Sequence, residues 1–448
     1  LIAADKMKKT YIFFIFTIIL LFSLFALLLQ DSQSKFTLKV KSSIPKETRF
    51  FLKRAINQYF YNFDINLKFI KKSDITSSNG VKFNIVEYNN KLLDYQGPRA
   101  YLGIKDRNIF LVTGTGLMSH SKIDSLFENK NFKFKSIKSN LKEIIKFDDF
   151  YLNSNYGIKG FLVANQHIYL SFSNEVSQDC ISISVIKSKI NLEKLEFSYL
   201  FKSEQCVKKI NSYGEFQPIQ SGGVMSDYDN NNFLLTTGEF RFRDHAQDEE
   251  SIFGKLLLIN KNNGEHKIIS KGHRNAQGLF YDKANNVILS TEHGPLGGDE
   301  VNLNKDIFNK NNFGWPISSY GEHYPKMAAK DAYEKAPLHK SHSEYGFIEP
   351  VKYFVPSIGI SQILKAEEGF QKSNNHNYFF ASMGYADRVN ALSIHQIVFD
   401  KDYQNILYED KLKIGNRIRD IVYLPKEKII VGYLEKKGSI IILSQNGQ

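Results

Sequence analysis

The chain has 448 residues, of which 42% are hydrophobic and 14% aromatic, so it carries enough apolar material for a sizeable core and is not a disordered protein. Its formal net charge is +12, from 59 basic and 47 acidic residues. The basic residues are scattered, and no compact basic block is interleaved with aromatic residues as a nucleic-acid groove requires. We therefore expect a generally basic surface and no nucleic-acid partner.

The N-terminal segment contains an uncharged apolar run over residues 11–29, preceded by Lys6, Lys8 and Lys9. A helical run of this length is about as long as the hydrocarbon core of a bilayer is thick. Basic residues before the run favour a cytoplasmic N-terminus. A cleaved signal peptide is the alternative, although the run lacks a clear A-x-A cleavage pattern. We predict a membrane anchor over residues 1–30, with the bulk of the chain periplasmic or otherwise extracytoplasmic.

Cysteine is rare in this chain, which contains only Cys180 and Cys206. In an exported protein the two could form one disulfide bond. Two free buried thiols are the alternative, and the sequence does not decide between them. Two cysteines without a nearby pair of histidines do not form a zinc site.

One pattern recurs from about residue 98 to the C-terminus: an apolar strand, a polar turn, a second apolar strand, and often Thr or Ser followed by Gly. The turns carry Asn, Asp, Lys and Gly, as tight hairpins require. Six four-stranded sheets at this period predict an all-β fold, a six-bladed β-propeller over residues 98–448. A β-sandwich would show denser turns and fewer repeats. Residues 31–97 are predicted to form a small α+β module or stalk, with a helix near residues 47–63.

The densest group of polar residues and glycines lies between residues 272 and 321. In a propeller, such strand junctions gather at one face around the central axis, where ligands bind. Arg274 offers a planar fork suited to carboxylates, and Asn275 and Gln277 add neutral donors and acceptors. Gly294 and Pro295 expose backbone carbonyls, which hard cations such as Ca²⁺ accept as ligands.

The same segment also permits a purely structural interpretation. Glycine-rich turns with Asp and Asn are usually only turns. Asp299 and Glu300 are adjacent acids that would point to opposite faces of a strand, so at most one of them is expected to face a site. Composition alone therefore leaves the two interpretations about equally supported.

Three ordered runs in this segment make a resemblance specific: GHRNAQGL (272–279), EHGPLGGDEVN (292–302) and NFGWPISSYG (312–321). They resemble the signature of the glucose/sorbosone dehydrogenase family, the pyrroloquinoline quinone (PQQ)-dependent aldose sugar dehydrogenases. Similar stretches occur at 246–260, 349–361 and 416–431. The similarity covers roughly residues 100–443.

This resemblance implies a six-bladed propeller that binds PQQ, a tricarboxylate o-quinone, together with Ca²⁺. Three carboxylates need several fixed positive charges. The positions assigned to cofactor binding from this resemblance are Arg274, Asn275, Gln277, His293, Arg417 and Arg419. Gly294 and Pro295 match the carbonyl ligands of the Ca²⁺ ion.

The sequence departs from the family at the position of the catalytic base. The family uses a His there, which suits proton removal from a sugar hydroxyl. The matching position here is Gln220, or Ile219 if one gap is introduced, and neither residue can act as a base. Glu239 stands where the family usually has Asp. His245 and His323 lie in loops near the matching blocks, although an ordinary solvated His is the simpler interpretation of each. The catalytic residue is therefore unknown from the sequence.

These observations favour a membrane-anchored, extracytoplasmic dehydrogenase that uses PQQ and Ca²⁺ to oxidise an aldose sugar or a related hydroxyl compound and passes electrons to an acceptor. The alternative is a catalytically inactive propeller that binds PQQ or a sugar, because the base is missing at Gln220. A propeller with a decayed pocket is a third interpretation, against which the retained cofactor motifs argue. A homodimer remains open.

Overall fold

Short antiparallel strands make up most of the structure, which is a computed structural model. It describes five single positions near the N-terminus and residues 63–445, except 91–92, 94–98, 129, 213, 325–333, 367–369, 371–374 and 386. Apart from those single positions, the predicted anchor over residues 1–30 and the predicted helix near residues 47–63 lie outside the described residues. Within the described part, no helix has the length and hydrophobicity needed to cross a membrane.

The strands follow one another in six groups after an N-terminal pair. The pair is β1 (Ile65–Thr76) and β2 (Lys82–Asn89). The first sheet contains β3 (Ala100–Lys105), β4 (Asn108–Thr113), β5 (Met118–Lys122) and β6 (Phe132–Ser139). The second contains β7 (Ile158–Ala164), β8 (His167–Ser177), β9 (Cys180–Lys189), β11 (Ser198–Lys202) and the short β12 (Val207–Lys208). The short β10 (Lys194–Leu195) follows β9 in the chain but pairs with β6 of the first sheet.

The remaining sheets repeat the same plan. The third contains β13 (Gly222–Asp227), β14 (Asn232–Thr237), β15 (Lys255–Asn260) and β16 (His266–Lys271). The fourth contains β17 (Ala276–Asp282), β18 (Val287–Glu292), β19 (Asp299–Asn304) and, after the short β20 (Asn311–Asn312), β21 (Lys352–Phe354). The fifth contains β22 (Ile360–Lys365), β23 (His376–Ser382), β24 (Ser393–Phe399) and β25 (Ile406–Lys413). The sixth contains β26 (Ile418–Leu424), β27 (Ile429–Leu434) and β28 (Ser439–Gln445).

Helical structure in the described chain is short. It includes α1 (Leu141–Ile144), α2 (Asp148–Leu152) and 3₁₀ turns at Ile123–Phe127, Arg243–Ala246 and Ser343–Tyr345.

The N-terminal pair of strands closes the structure. β2 pairs with β28 along its length and supplies the fourth strand of the sixth sheet. β1 pairs with both β2 and β6, which joins the sixth sheet to the first. Residues 65–89 therefore belong to the sheet system, which begins earlier in the sequence than the expected boundary at residue 98. Residues Tyr61–Gln448 form one compact unit.

The first strand of each sheet lies on the inside. β3, β7, β13, β17, β22 and β26 each contact the first strands of two neighbouring sheets and close a ring. Apolar side chains pack between neighbouring sheets, as Phe110 of β4 does in one cluster with Ile168 and Phe172 of β8. The predicted mostly β, propeller-like fold is thus confirmed, and its central axis runs through the ring of first strands.

A β-bulge recurs at the start of these inner strands. In five of the six sheets, pairing between the first and second strands shifts directly after the first residue of the inner strand. A bulge leaves the extra residue unpaired and re-aims its side chain. The residues freed in this way include Lys159, Gly223, Gln277, Ser361 and Arg419. The repeated bulge therefore determines which side chains the ring presents at one end.

Cys180 and Cys206 form a disulfide bond that connects the start of β9 to the residue preceding β12. Of the two alternatives that the sequence left open, the structure therefore contains the disulfide bond and not two free thiols. Disulfide bonds persist in oxidising compartments, so the bond is in keeping with an exported chain.

Candidate functional site

The beginnings of the inner strands bring basic side chains together at one end of the ring. Arg99 precedes β3, Lys159 lies in β7, and Arg417 and Arg419 lie at the start of β26. These four basic side chains and the carboxylate of Glu435 are called the axial cluster below. Arg99, Lys159 and Arg419 are each less than a tenth exposed. One buried carboxylate thus accompanies four basic groups, which suits a ligand that carries several negative charges.

Glu435 holds the two arginines that the sequence predicted as carboxylate ligands. Its Oε1 accepts from Arg417 Nη2 at 3.2 Å, and its Oε2 accepts from Arg419 Nε at 2.6 Å. The neighbouring arginines hold the pKa of Glu435 below its usual value, although burial acts in the opposite direction. Arg417 Nε is buried and has no hydrogen-bond partner among the described residues. The pair is therefore oriented by Glu435 while one donor stays available.

Arg99 and Lys159 were not identified from the sequence. Arg99 Nη1 donates to the carbonyl of Tyr156 at 3.0 Å. Burial is the main cause that lowers the pKa of Arg99, and the charge of Arg419 adds to it. Lys159 could have been found by aligning the internal repeats, because Ile158-Lys159-Gly160 occupies the same place in β7 as Ile418-Arg419-Asp420 in β26.

A second group, called the arginine cluster, surrounds Glu239 and consists of Arg241, Arg243, Arg274, Glu239 and Gln220. Glu239 is fully buried, and burial raises its pKa although the three arginines act in the opposite direction. The Gln220 amide suits its neighbours when its nitrogen donates to Glu239 Oε1 (2.6 Å) and its oxygen accepts from Arg274 Nη2 (2.9 Å). Gln220 therefore serves here as a hydrogen-bonded bridge between an acid and an arginine.

A cleft of about 280 Å³ adjoins the arginine cluster. Its lining includes Arg241, Arg243 and His245. Arg243 Nη2 donates to Glu215 Oε2 at 3.0 Å, while its Nη1 is buried without a hydrogen-bond partner among the described residues. Burial and the charge of Arg274 lower the pKa of Arg241 to about 10. The cleft thus has a basic wall.

The run Arg274–Gln277 is fixed by the carboxylate of Glu292. Glu292 Oε1 accepts from the backbone N–H groups of Arg274 and Asn275, and its Oε2 lies 3.0 Å from His273 Nδ1. The Arg274 guanidinium lies 5.2 Å from the centre of the Trp315 ring, a cation–π distance. The side chain of Arg274 is therefore held on three sides: by Trp315, by Gln220 and by the turn that follows Glu292.

Asn275 and Gln277 connect the two clusters. Asn275 Oδ1 accepts from Gln277 Nε2 at 3.1 Å and from the backbone N–H of Gly222 at 3.2 Å. Gln277 Oε1 accepts from Arg419 Nη1 at 3.1 Å. The structure thus joins Asn275, Gln277 and Arg419 in one hydrogen-bonded chain, and Arg274 shares the carboxylate of Glu292 with Asn275.

Asp299 organises the turn that contains Gly294 and Pro295. Its Oδ1 accepts from the N–H of Gly294 at 3.1 Å. Its Oδ2 accepts from three consecutive N–H groups, those of residues 358–360, at 2.6–3.0 Å. A Cβ atom at Gly294 would lie 2.2 Å from the carbonyl oxygen of Gly298, so the turn requires glycine there. Glu300 is separate from this turn and lies 3.5 Å from His342 Nε2.

His293 follows β18 beside the same turn. Its Nε2 lies 2.6 Å from the carbonyl oxygen of Ile360, so this nitrogen carries the proton and donates. Burial lowers the pKa of His293, although the Asp299 carboxylate acts in the opposite direction. The neutral form of the imidazole is therefore favoured, and its Nε2–H is committed to the backbone.

The calcium ligand set is only partly supported by the geometry. The carbonyl oxygen of Gly294 accepts from Arg274 Nη1 at 2.6 Å. Pro295 is buried in the same turn. Among the described residues, no three His, Cys, Asp or Glu side chains converge as a metal site. A cation at Gly294 would therefore have to replace the Arg274 hydrogen bond.

The two histidines considered as alternative bases lie outside both clusters. His245 Nδ1 lies 3.0 Å from Ser251 Oγ, and burial lowers its pKa. His323 Nε2 lies 2.7 Å from the carbonyl oxygen of Ala336, and burial lowers its pKa as well. His245 borders the cleft, and the charge of Arg243 in the arginine cluster acts on His323 and lowers its pKa further.

The family model for glucose/sorbosone dehydrogenases matches residues 126–442. The chain belongs to the glucose/sorbosone dehydrogenase family. This membership confirms the resemblance that the three signature runs predicted.

Individual relatives are more distant. The chain is 29% identical over 219 residues to an uncharacterised Synechocystis protein, slr1608, which covers 46% of this chain and 48% of that protein. It is 30% identical over 148 residues to the aldose sugar dehydrogenase YliI of Escherichia coli, which covers 30% of this chain and 37% of that protein. The aligned parts thus span about half or less of each curated relative.

The fold has close counterparts among solved structures. The soluble aldose sugar dehydrogenase of Escherichia coli, in its apo form, superimposes with a TM-score of 0.58 over 78% of this chain and 95% of that chain, at 19% identity. At this identity the likeness supports the shared fold alone.

Proposed function

We propose that this protein is an extracytoplasmic PQQ-dependent dehydrogenase that oxidises an aldose sugar or a related hydroxyl compound. Family membership supports the reaction class. The observation that carries the proposal is the axial cluster, because Arg417 and Arg419 share one carboxylate, Arg99 adds a further positive charge, and Arg417 Nε has no partner among the described residues. A tricarboxylate quinone would supply the negative charge that this cluster lacks.

The residues present fit PQQ as follows. Arg417 and Arg419 would pair with its carboxylates, with Arg99 adding to the positive potential. Gln277 and Asn275 would orient the rings through hydrogen bonds, and Arg274 would be held beside them by Trp315 and Gln220. Bound PQQ supplies an o-quinone that accepts a hydride from a carbon bearing a hydroxyl group. The chain contributes binding, orientation and a place for the hydroxyl proton.

The cleft beside the arginine cluster is the candidate site for the part of the sugar that lies away from the reacting hydroxyl. Its volume of about 280 Å³ is near the lower end for ligand pockets. Arg243 Nη1 supplies a buried donor that a sugar oxygen could satisfy. Calcium is proposed as an additional requirement on the basis of Gly294 and Pro295, and an N-terminal membrane anchor on the basis of residues 11–29.

Titration of the chain with PQQ, followed by quinone absorbance with and without Ca²⁺, tests this proposal. We expect saturable binding that weakens at least tenfold in Arg419→Met. The matched control is Arg107→Met, which removes an exposed arginine paired with Asp124 and Glu427 far from the axial cluster. Equal affinity in wild type and Arg419→Met would contradict the assignment of the axial cluster. Absence of PQQ binding to the wild-type protein would contradict the assignment of PQQ as the cofactor.

The alternative, an inactive propeller that binds PQQ or a sugar, is favoured by one observation: Gln220 stands at the family's base position and is held between Glu239 and Arg274. Addition of aldoses to the PQQ-loaded protein distinguishes this inactive propeller from the proposed dehydrogenase. Binding without reduction of the quinone would support this alternative.

A further inference from the structure

Lys159 is a buried lysine at the centre of the ring that the family resemblance does not explain. It is 5% exposed and lies at the β7 bulge, in the same place as Gln277 in β17 and Arg419 in β26. Among the described residues, no carboxylate forms an ion pair with Lys159. Buried lysines usually have such a partner, so this arrangement points to a role for the amine itself.

The contacts of Lys159 Nζ leave one tetrahedral direction open. Nζ donates to the carbonyl oxygens of Asn155 (2.5 Å) and Pro218 (2.9 Å). An uncharged amine has two N–H bonds and one lone pair, so these two carbonyls can take both N–H bonds. The lone pair then remains free to accept a proton from a ligand in the ring.

The surroundings favour the uncharged amine. Burial is the main cause that lowers the pKa of Lys159 well below its ordinary value, and the charges of Arg99 before β3 and Arg419 in β26 act in the same direction. On the β13 side the neighbours are Pro218 and Gly223, which carry no charge. Glu435 offsets Arg419 but has no direct contact with Lys159 in the described structure.

The chain is built to accommodate this side chain. A Cβ atom at Gly223 would lie 2.3 Å from Lys159 Cβ, so only glycine at that position lets the lysine occupy its place. Pro218, which accepts from Nζ, lies two residues before Gln220. The segment 218–220 thus connects Lys159 to the family's base position and to the arginine cluster.

We propose that Lys159 Nζ is the base that accepts the hydroxyl proton of the substrate, the task that Gln220 cannot perform. This proposal rests on the proposed dehydrogenase function. In the step, the substrate O–H proton passes to Nζ, the C–H bond breaks, and its electron pair leaves with hydrogen as hydride to the o-quinone. The C–O single bond becomes a carbonyl, the substrate loses two electrons, and the resulting ammonium later returns its proton to water.

The first experiment follows reduction of protein-bound PQQ by an aldose in stopped flow between pH 5 and 10. We expect the wild-type rate to fall as pH decreases through the pKa of Lys159. Lys159→Arg, which stays charged, and Lys159→Met should both lose at least 100-fold in rate while still binding PQQ. Added methylamine should restore part of the rate of Lys159→Met, and Gln220→His in that background should restore reduction with an inflection near the pKa of histidine.

The matched control is Lys187→Met. Lys187 Nζ also donates to two backbone carbonyls, those of Lys261 (2.8 Å) and Asn262 (3.3 Å), but it lies in the outer part of the second sheet. This variant should keep the wild-type rate and pH profile. If Lys159→Arg kept the wild-type rate and pH profile, the assignment of Lys159 as the base would be overturned, but the proposed dehydrogenase function would stand. If the wild-type protein did not reduce PQQ with any aldose, both the assignment of Lys159 and the proposed function would be overturned.

A second readout does not depend on activity. Competitive labelling of lysine amines at a series of pH values, quantified on the peptide that contains Lys159, measures the titration midpoint of this amine in the full chain without PQQ. A midpoint below that of Lys187 is expected. Equal midpoints for the two lysines would overturn the proposal.

Discussion

Arg419 donates a hydrogen bond to Gln277 across the end of the ring, from Nη1 to Oε1 at 3.1 Å, although 142 residues separate them in the sequence. The first strand of the fifth sheet, β22, lies between their strands in the ring, so the contact spans more than one blade. Both side chains leave their strands at a bulge. The contact shows that Gln277 and Arg419, which belong to separate motifs but were assigned to the same cofactor, are hydrogen-bonded to each other.

Removal of the carboxylate at Glu435 should destabilise the protein. Glu435→Gln leaves Arg417 and Arg419 close together without their buried counter-charge. Breaking a buried pair from one side costs about 3–5 kcal/mol. Urea denaturation would measure the change, and Glu196→Gln, which removes the partner of the exposed Lys194, should leave stability unchanged. Equal stability of Glu435→Gln and wild type would contradict this account of the axial cluster.

Asp299→Asn should loosen the Gly294–Pro295 turn. The Asp299 carboxylate accepts four backbone N–H groups, and an amide nitrogen cannot replace its second oxygen as acceptor. We expect a loss of about 2–3 kcal/mol in the free energy of unfolding, since buried donors would be left unsatisfied. Weaker Ca²⁺-dependent PQQ binding should accompany this loss.

The control for this variant is Asp229→Asn. Asp229 accepts from the backbone N–H groups of Asn231 and Asn232 in the turn between β13 and β14, away from the Gly294 turn. It should lower stability without altering PQQ affinity. If Asp229→Asn weakened PQQ binding as much as Asp299→Asn, the turn would have no special role in the site.

Asp420 should make stability depend on pH. Burial raises the pKa of Asp420 to about 7, although it accepts from the N–H of Leu102 at 2.7 Å. A carboxyl group whose pKa is higher in the folded state than in the unfolded state stabilises the fold when protonated. Its contribution is therefore fully present below about pH 4 and is lost as pH rises to about 7. The free energy of unfolding of wild type minus that of Asp420→Asn should fall across this range, and a constant difference would contradict the prediction.

Reduction of the Cys180–Cys206 disulfide should destabilise the second sheet. The bond closes a loop with a sequence separation of 26 residues. Loop-closure entropy for such a loop gives about 3 kcal/mol. Urea denaturation of the Cys180→Ser, Cys206→Ser double variant would measure this loss. Unchanged stability of the double variant would show that the disulfide contributes nothing to the fold.

Sequence patterns predicted the repeated sheets because each hairpin carries a local signal. At the β3–β4 turn, for example, Asp106 and Arg107 both have positive φ, as a two-residue hairpin turn requires. The pairing of β2 with β28 has no local signal, since it joins residues 83–89 to residues 439–445, and residues 65–89 were therefore assigned to a separate module.

The site was predictable where a motif occupied consecutive residues, as in Arg274–Gln277. Glu435 was missed because its importance comes from the register between β26 and β27, which brings it beside Arg417 and Arg419. Lys159 was missed because no family motif includes it. An alignment of the internal repeats at their β-bulges would have placed Lys159 at the position equivalent to Arg419.

The most direct test of the central claim is reduction of PQQ bound to the wild-type chain. The chain is loaded with PQQ in excess Ca²⁺, a panel of aldoses is added without an electron acceptor, and the quinone absorbance is followed. We predict that at least one aldose bleaches the quinone at a rate that saturates with sugar concentration, and that Arg419→Met loses this response through weaker PQQ binding. Stable quinone absorbance with every aldose, despite saturable PQQ binding, would contradict the dehydrogenase and leave a binding propeller.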